Sequence, residues 1–292
     1  MKLAPVPRVL VRHFTPPVLG GAPRIVVGQV ARWKALRTWT PAYLKSIAGN
    51  TRVMVRETQG APCNFYQTMG EGGRTTLASY LDWVLETANG RAVQAIAARG
   101  GGPADVVRAI RASGIAWSYY LDVKLACLPA HLVADIAAPH WYGRDPIDRI
   151  FWCGVLGTSS GLHFDLQPNC NVQLAGNKHF ALFPPAMGRA LYRIGGTTHC
   201  HFDPNLPDFE RYPLARHVRG MQCVLQPGES LYIPAGWFHQ VTIVSPWATN
   251  VNFFWPRPLP QALFTPLLWG QLLLRGRARV HVSLNKLRER LP

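Results

Sequence analysis

A chain of 292 residues with 48% hydrophobic content is long and apolar enough for one large β domain with helical decoration. Its formal net charge of +16 is concentrated at the ends: residues 1–60 carry ten basic side chains against Glu57 alone, and residues 257–292 carry seven against Glu289 alone. The six cysteines (Cys63, Cys127, Cys153, Cys170, Cys200 and Cys223) form no Cys-X-X-Cys pair, so free thiols in a reducing, cytoplasmic setting are expected; no apolar run suits a signal peptide or membrane span.

In chain order, residues 1–22 read as a basic arm ahead of a domain over 23–256. Thr40 followed by Pro41 predicts a capped helix over 40–47. Arg52–Arg56 reads as a short strand. Apolar spacing predicts helices over 76–86 and 104–112, separated by Gly100-Gly101-Gly102-Pro103, a surface loop within the one domain. Further on, 171–175 and 178–183 read as strands flanking Gly176-Asn177, a two-residue hairpin signal. In the second of them Lys178, Phe180 and Leu182 share a face. A Pro227-Gly228 turn leads into the apolar run 231–234 and then His239. Residues 257–292 form a basic extension, expected to hold two short helices that either pair two chains or pack back on the same domain.

His163 and Asp165 stand two apart in a strand-like stretch, so their side chains leave the same face. His239 comes from a segment far downstream, and a barrel or sandwich would bring it close. Two imidazoles and one carboxylate can occupy one face of an Fe(II) ion and leave its other positions open, the arrangement of non-haem iron oxygenases. Lys178, if buried nearby, would anchor a carboxylate co-substrate, because a buried carboxylate is costly unless paired. His-X-Asp alone is a common pattern; its combination with this lysine and with Trp237-Phe238-His239 is far more specific. His13, His131, His140, His179, His217 and His281 lack partners at ligand spacing. His199-Cys200-His201 is read as a structured loop rather than a second metal site, since two alternating ligands leave a coordination shell incomplete.

These motifs carry a resemblance. His163-Phe164-Asp165, the run Gly176 to Pro185, Asp203 to Pro213, Pro227 to His239 and Asn250 to Trp255 are similar to the cupin-like branch of the JmjC oxygenases. A weaker match lies at Trp33–Leu44, and the whole likeness runs from about Pro23 to Pro256. It implies a mainly β fold, a double-stranded β-helix (jelly roll) with flanking N-terminal and C-terminal helices, carrying Fe(II) and 2-oxoglutarate. By that likeness His163, Asp165 and His239 would hold iron and Lys178 would pair with the distal carboxylate of the co-substrate. Tyr120 and Ser160 would hydrogen-bond the same carboxylate, and Asn169 and Asn252 would line co-substrate and metal. Ser160 stands where relatives often have threonine, with a hydroxyl retained.

The resemblance implies a dioxygenase that consumes O2, is supported by ascorbate, and releases succinate and CO2 while hydroxylating a side chain of a protein or peptide. If the two basic ends meet in space they would form a surface suited to an acidic peptide or a nucleic acid, the alternative being that the excess charge serves general solubility. A modified tRNA base is the alternative substrate and a small molecule the next. Lysine demethylation uses the same oxidative chemistry. A cupin-like scaffold without turnover is disfavoured by the intact ligand set.

Overall fold

A computed structural model describes residues 1–17, 21–57, 73–114 and 119–256. The expected 257–292 extension, its helices and any pairing through them lie outside the described residues, as does Cys63. The first residues, set apart in the sequence as an arm, are built into the sheets as β1 (Lys2–Pro5) and β2 (Arg8–Leu10), followed by β3 (Arg24–Val27). Two helices follow, α1 (Ala35–Thr38) and α2 (Pro41–Ala48). The Thr40 side chain accepts from the Tyr43 N–H at 3.2 Å and Pro41 opens α2, as its sequence predicts.

Strands β4 (Arg52–Glu57) and β5 (Arg74–Thr76) lead to α3 (Leu77–Asn89), α4 (Arg91–Arg99) and α5 (Pro103–Ser113). Gly100 and Gly101, with φ of 64° and 113°, make the turn between α4 and α5, a conformation that favours glycine. After β6 (Tyr119–Lys124) and α6 (Ala130–Val133) the chain is almost entirely strand and loop. These strands are β7 (Asp148–Val155), β8 (His163–Phe164), β9 (Asn169–Ala175), β10 (Lys178–Phe183), β11 (Arg219–Leu225), β12 (Ser230–Ile233), β13 (Phe238–Ile243) and β14 (Trp247–Phe254).

Two sheets result. One has the order β1-β11-β10-β13-β8, the other β2-β3-β12-β9-β14-β7-β6-β4-β5. Their strands are mostly antiparallel, and from β7 to β10 and again from β11 to β14 the chain passes from one sheet to the other at each strand, the mainly β jelly-roll sandwich that the sequence resemblance implies. Helices α2 to α5 cover the outer face of the nine-stranded sheet. There Leu44, Leu81, Val93 and Ile110 pack with Phe151, Val172 and Phe253 in one apolar cluster. A second cluster fills one end of the sandwich with Ile25, Phe180, Leu182, Leu225, Leu231 and Ile233.

The expected hairpin at Gly176-Asn177 is a correction. β9 pairs with β12 and β14, whereas β10 pairs with β11 and β13, so this turn carries the chain from one sheet to the other. Gly176, at φ 64°, is needed for that crossing: a Cβ there would lie 2.0 Å from the Trp247 carbonyl oxygen. Asn177 N–H is held by Ser245 Oγ at 2.7 Å. Alternation identified both strands, and it does not distinguish a hairpin from a crossover.

Candidate active site

His163 reaches the site from β8, and its register partner across the ladder is His239 of β13. This pairing of segments far apart in sequence brings the imidazole rings to 4.3 Å between centroids. Asp165 lies one residue beyond the two-residue β8, its carbonyl held by the Gly236 N–H at 2.9 Å. One potential ligand atom from each of His163, Asp165 and His239 lies within 4.8 Å of the others, a three-residue cluster among the described residues that could hold a metal ion.

The imidazole orientations suit ligation. His163 Nδ1 is 3.0 Å from the Gly161 carbonyl and His239 Nδ1 is 3.0 Å from the Trp237 carbonyl. An Nδ1–H donated to each carbonyl fixes the tautomer that leaves the Nε2 lone pair for a metal. His239 Nε2 faces Asp165 Oδ2 at 3.5 Å. Burial pushes His163 well below the usual histidine range, with His239 adding to the effect, and burial raises Asp165. A neutral imidazole is the ligating form, and a divalent cation would return the carboxylate to its charged form. The donor set therefore fits a hard or borderline divalent ion with nitrogen and oxygen preference, Fe(II) among them.

Beside this cluster a cleft opens between the two sheets, enclosing about 430 Å³ including its opening to solvent. Trp152, Asn171, Asn250 and Asn252 line it from the nine-stranded sheet, with Lys178 and Val241 opposite. Lys178 is 1% exposed, and its Nζ donates to Asn250 Oδ1 and, at 3.4 Å, to the Tyr120 hydroxyl. Both partners are neutral, and burial pushes the lysine down to about 7. A buried ammonium among neutral acceptors is a natural counter-charge for a carboxylate. Tyr120 is packed beside Trp152 at 5.3 Å and over Gly154, where an added Cβ would stand 2.8 Å from the Tyr120 ring.

Each residue expected from the sequence can be placed. His163, Asp165, His239, Lys178, Tyr120, Ser160 and Asn252 all line the one cleft. Ser160 Oγ is engaged with the backbone there, donating to the Gly161 carbonyl at 3.2 Å and accepting from the Val241 N–H at 3.1 Å. Asn169 stands off the cleft wall, where its amide donates to Asp165 Oδ2 at 2.7 Å. Asn171, Asn250 and Trp152 were missed. A signal for Asn171 was present in the period-two run Asn169, Asn171, Gln173, polar on one face while Cys170, Val172 and Leu174 join the core on the other. His199 lies in a loop and forms an isolated bridge with His163, rings stacked at 5.6 Å, outside the ligand cluster.

Fold and site together define a jelly-roll protein in which a His-Asp-His cluster that could hold a metal ion lines a cleft between the two sheets. A family model described as "Cupin-like domain" matches residues 12–260. The chain belongs to this cupin-like (JmjC) domain family. It is 33% identical over 125 residues to tRNA wybutosine-synthesizing protein 5 of Gallus gallus, covering 42% of this chain and 39% of that protein. It is 27% identical over 244 residues to lysine-specific demethylase JMJ30 of Arabidopsis thaliana, covering 81% of this chain and 50% of that protein. With bifunctional peptidase and (3S)-lysyl hydroxylase JMJD7 of Homo sapiens it shares 26% identity over 268 residues, covering 80% and 77%. The chain thus spans half or less of the length of the first two. No helix among the described residues is long and apolar enough to cross a membrane.

Proposed function

We propose that this protein is an Fe(II)- and 2-oxoglutarate-dependent oxygenase that hydroxylates a side chain of a protein or peptide in the cytoplasm. The observation that carries the reading is the juxtaposition of His163, Asp165 and His239 with a cleft in which the hydrogen-bond partners of the buried Lys178 among the described residues, Asn250 and Tyr120, are neutral. Fe(II) bound there with 2-oxoglutarate and O2 would supply decarboxylation to succinate and CO2 with transfer of one oxygen atom to a substrate C–H bond.

The chain's own residues then divide the work. His163, Asp165 and His239 would hold the metal on one face, and Lys178 would bind the distal carboxylate of the co-substrate by charge. Tyr120 and Asn250 position that ammonium. Trp152 and Val241 wall the cleft and limit water around the reacting centre. Asn252 lies on the same wall, within reach of a bound co-substrate, while Ser160 ties the wall to the β13 backbone.

The JMJD7 relative, covered over 77% of its length and named as a lysyl hydroxylase, favours a protein substrate. A modified tRNA base is the second reading, favoured by the 33% identity to the wybutosine-synthesizing protein and by the basic terminal segments. Purified protein given Fe(II), ascorbate and 2-oxoglutarate is expected to release succinate, and His163→Ala to abolish that release. Peptide-library mass spectrometry is expected to find a gain of one oxygen atom that depends on His239. Salt-sensitive retention of tRNA together with oxygen gain on the RNA would move the assignment to the second reading. Absence of both metal binding and succinate release would leave a non-enzymatic scaffold.

A further inference from the structure

An ammonium group can only donate hydrogen bonds and a carboxylate can only accept them. Lys178 and Asp165 are such a pair, and a chain of three amides runs between them. Lys178 donates to Asn250 Oδ1, which commits the Asn250 amide nitrogen to donate onward, to Asn171 Oδ1 at 3.2 Å. Asn171 Nδ2 in turn donates to Asn169 Oδ1 at 2.9 Å, and Asn169 Nδ2 donates to Asp165 Oδ2 at 2.7 Å. Asn250 also donates to Asn252 Oδ1, a branch that does not alter the direction of the chain. With Lys178 protonated and Asp165 ionised every link points the same way, so in that state each amide dipole is set by the charges at the two ends. Asn169, Asn171 and Asn250 are all buried, where an amide turned the wrong way would leave two groups unpaired.

We propose that Asn250, Asn171 and Asn169 are a relay of positioning residues that couples the state of Lys178 to Asp165, so that co-substrate and metal binding are energetically linked through the chain. The proposal rests on the oxygenase reading and adds a specific route to it. Polarised hydrogen bonds in series strengthen one another, so an ammonium at one end tightens the hold of Asn169 on the carboxylate at the other. Asn171 is the one link that touches neither the lysine nor the carboxylate. Its loss cuts the relay while leaving both ends in place.

A double-mutant cycle read by Mn(II) binding, followed by electron paramagnetic resonance on metal-free protein, tests this. The four proteins are wild type, Lys178→Met, Asn171→Leu and the double variant, with circular dichroism confirming the fold; Asn171→Ser replaces Asn171→Leu if the leucine variant does not fold. Through-space repulsion between ammonium and metal is common to both backgrounds and cancels in the cycle. The relay predicts that the factor by which Lys178→Met changes the Mn(II) dissociation constant differs at least about threefold between the two backgrounds, with the relative weakening seen only when Asn171 is present. Equal factors in both backgrounds overturn the relay and leave the oxygenase reading standing. Failure of wild type to bind Mn(II) overturns that reading and the relay with it.

Discussion

Along β7, β9 and β14 the two faces of the nine-stranded sheet are built from different chemistry. On the helix side Phe151, Cys153, Val172, Leu174, Val251 and Phe253 are buried in one apolar cluster. On the cleft side of the same strands stand Trp152, Asn171, Asn250 and Asn252. Neighbouring residues on one strand thus serve separate ends, because a strand sends successive side chains to opposite faces. The apolar face supplies stability through burial. On the proposed function, the polar face spends stability on a lysine, a carboxylate and a row of amides whose value would appear only when a metal and a dicarboxylate arrive.

The largest expected effect lies on the cleft side. His239→Ala should abolish Mn(II) binding and succinate release while shifting the thermal midpoint by no more than about 4 °C, the equivalent of roughly 1 kcal/mol in a domain of this size. Calorimetry and a succinate assay on one preparation check both halves. Next comes Phe253→Ala on the helix side, expected to cost about 3–5 kcal/mol in urea unfolding and to leave the metal affinity of the folded protein unchanged. Metal affinity falling in step with stability would show that the two faces are not separable. A smaller effect is expected of Asn169→Ala, which removes the amide that holds Asp165. It should weaken Mn(II) binding roughly 10- to 100-fold, as loss of an outer partner of a metal ligand does.

The division between faces also explains what was legible in the sequence. His163, Asp165, Lys178 and His239 could be found because motif spacing is local information and the residue types are chemically restrictive. The helices α2, α3 and α5 were predicted from caps and periodicity, while α4, with Gly90 at its N-cap and no side-chain cap, was not. Pairing was the weak point. β9 and β10 were both identified, yet their connection crosses between sheets, since alternation reports which face a side chain takes and not which strand lies opposite. Asn171 and Asn250 escaped for the same reason. Each is a polar residue within a strand, ordinarily read as solvent-facing, and its role depends on a neighbour on another strand.

The smallest effect, and the one that most sharpens the contrast, is a proton. Burial brings Lys178 down to about 7, against an ordinary lysine value of 10.5. Between those values the unfolded chain binds more protons than the folded one, so this lysine makes stability rise with pH from about 7 upward and contributes no slope below it. The buried thiols and tyrosines act in the opposite sense at higher pH: burial raises Cys153, Cys200 and Cys223 to about 12, and lifts Tyr80 and Tyr232 as well. Comparing wild type with Lys178→Met cancels those shared terms apart from the charge coupling between Lys178 and Cys153. Metal-free wild type should gain urea stability relative to Lys178→Met as pH is raised from 7 to 9. A dicarboxylate favours the charged lysine, so 2-oxoglutarate binding at pH 8 should take up as much as one proton, and Lys178→Met should take up none. Calorimetry in buffers of different ionisation enthalpy measures that number directly. Zero uptake by wild type would mean that Asn250 and Tyr120 already hold the ammonium charged, making the polar face a fully satisfied network rather than one completed by its ligand.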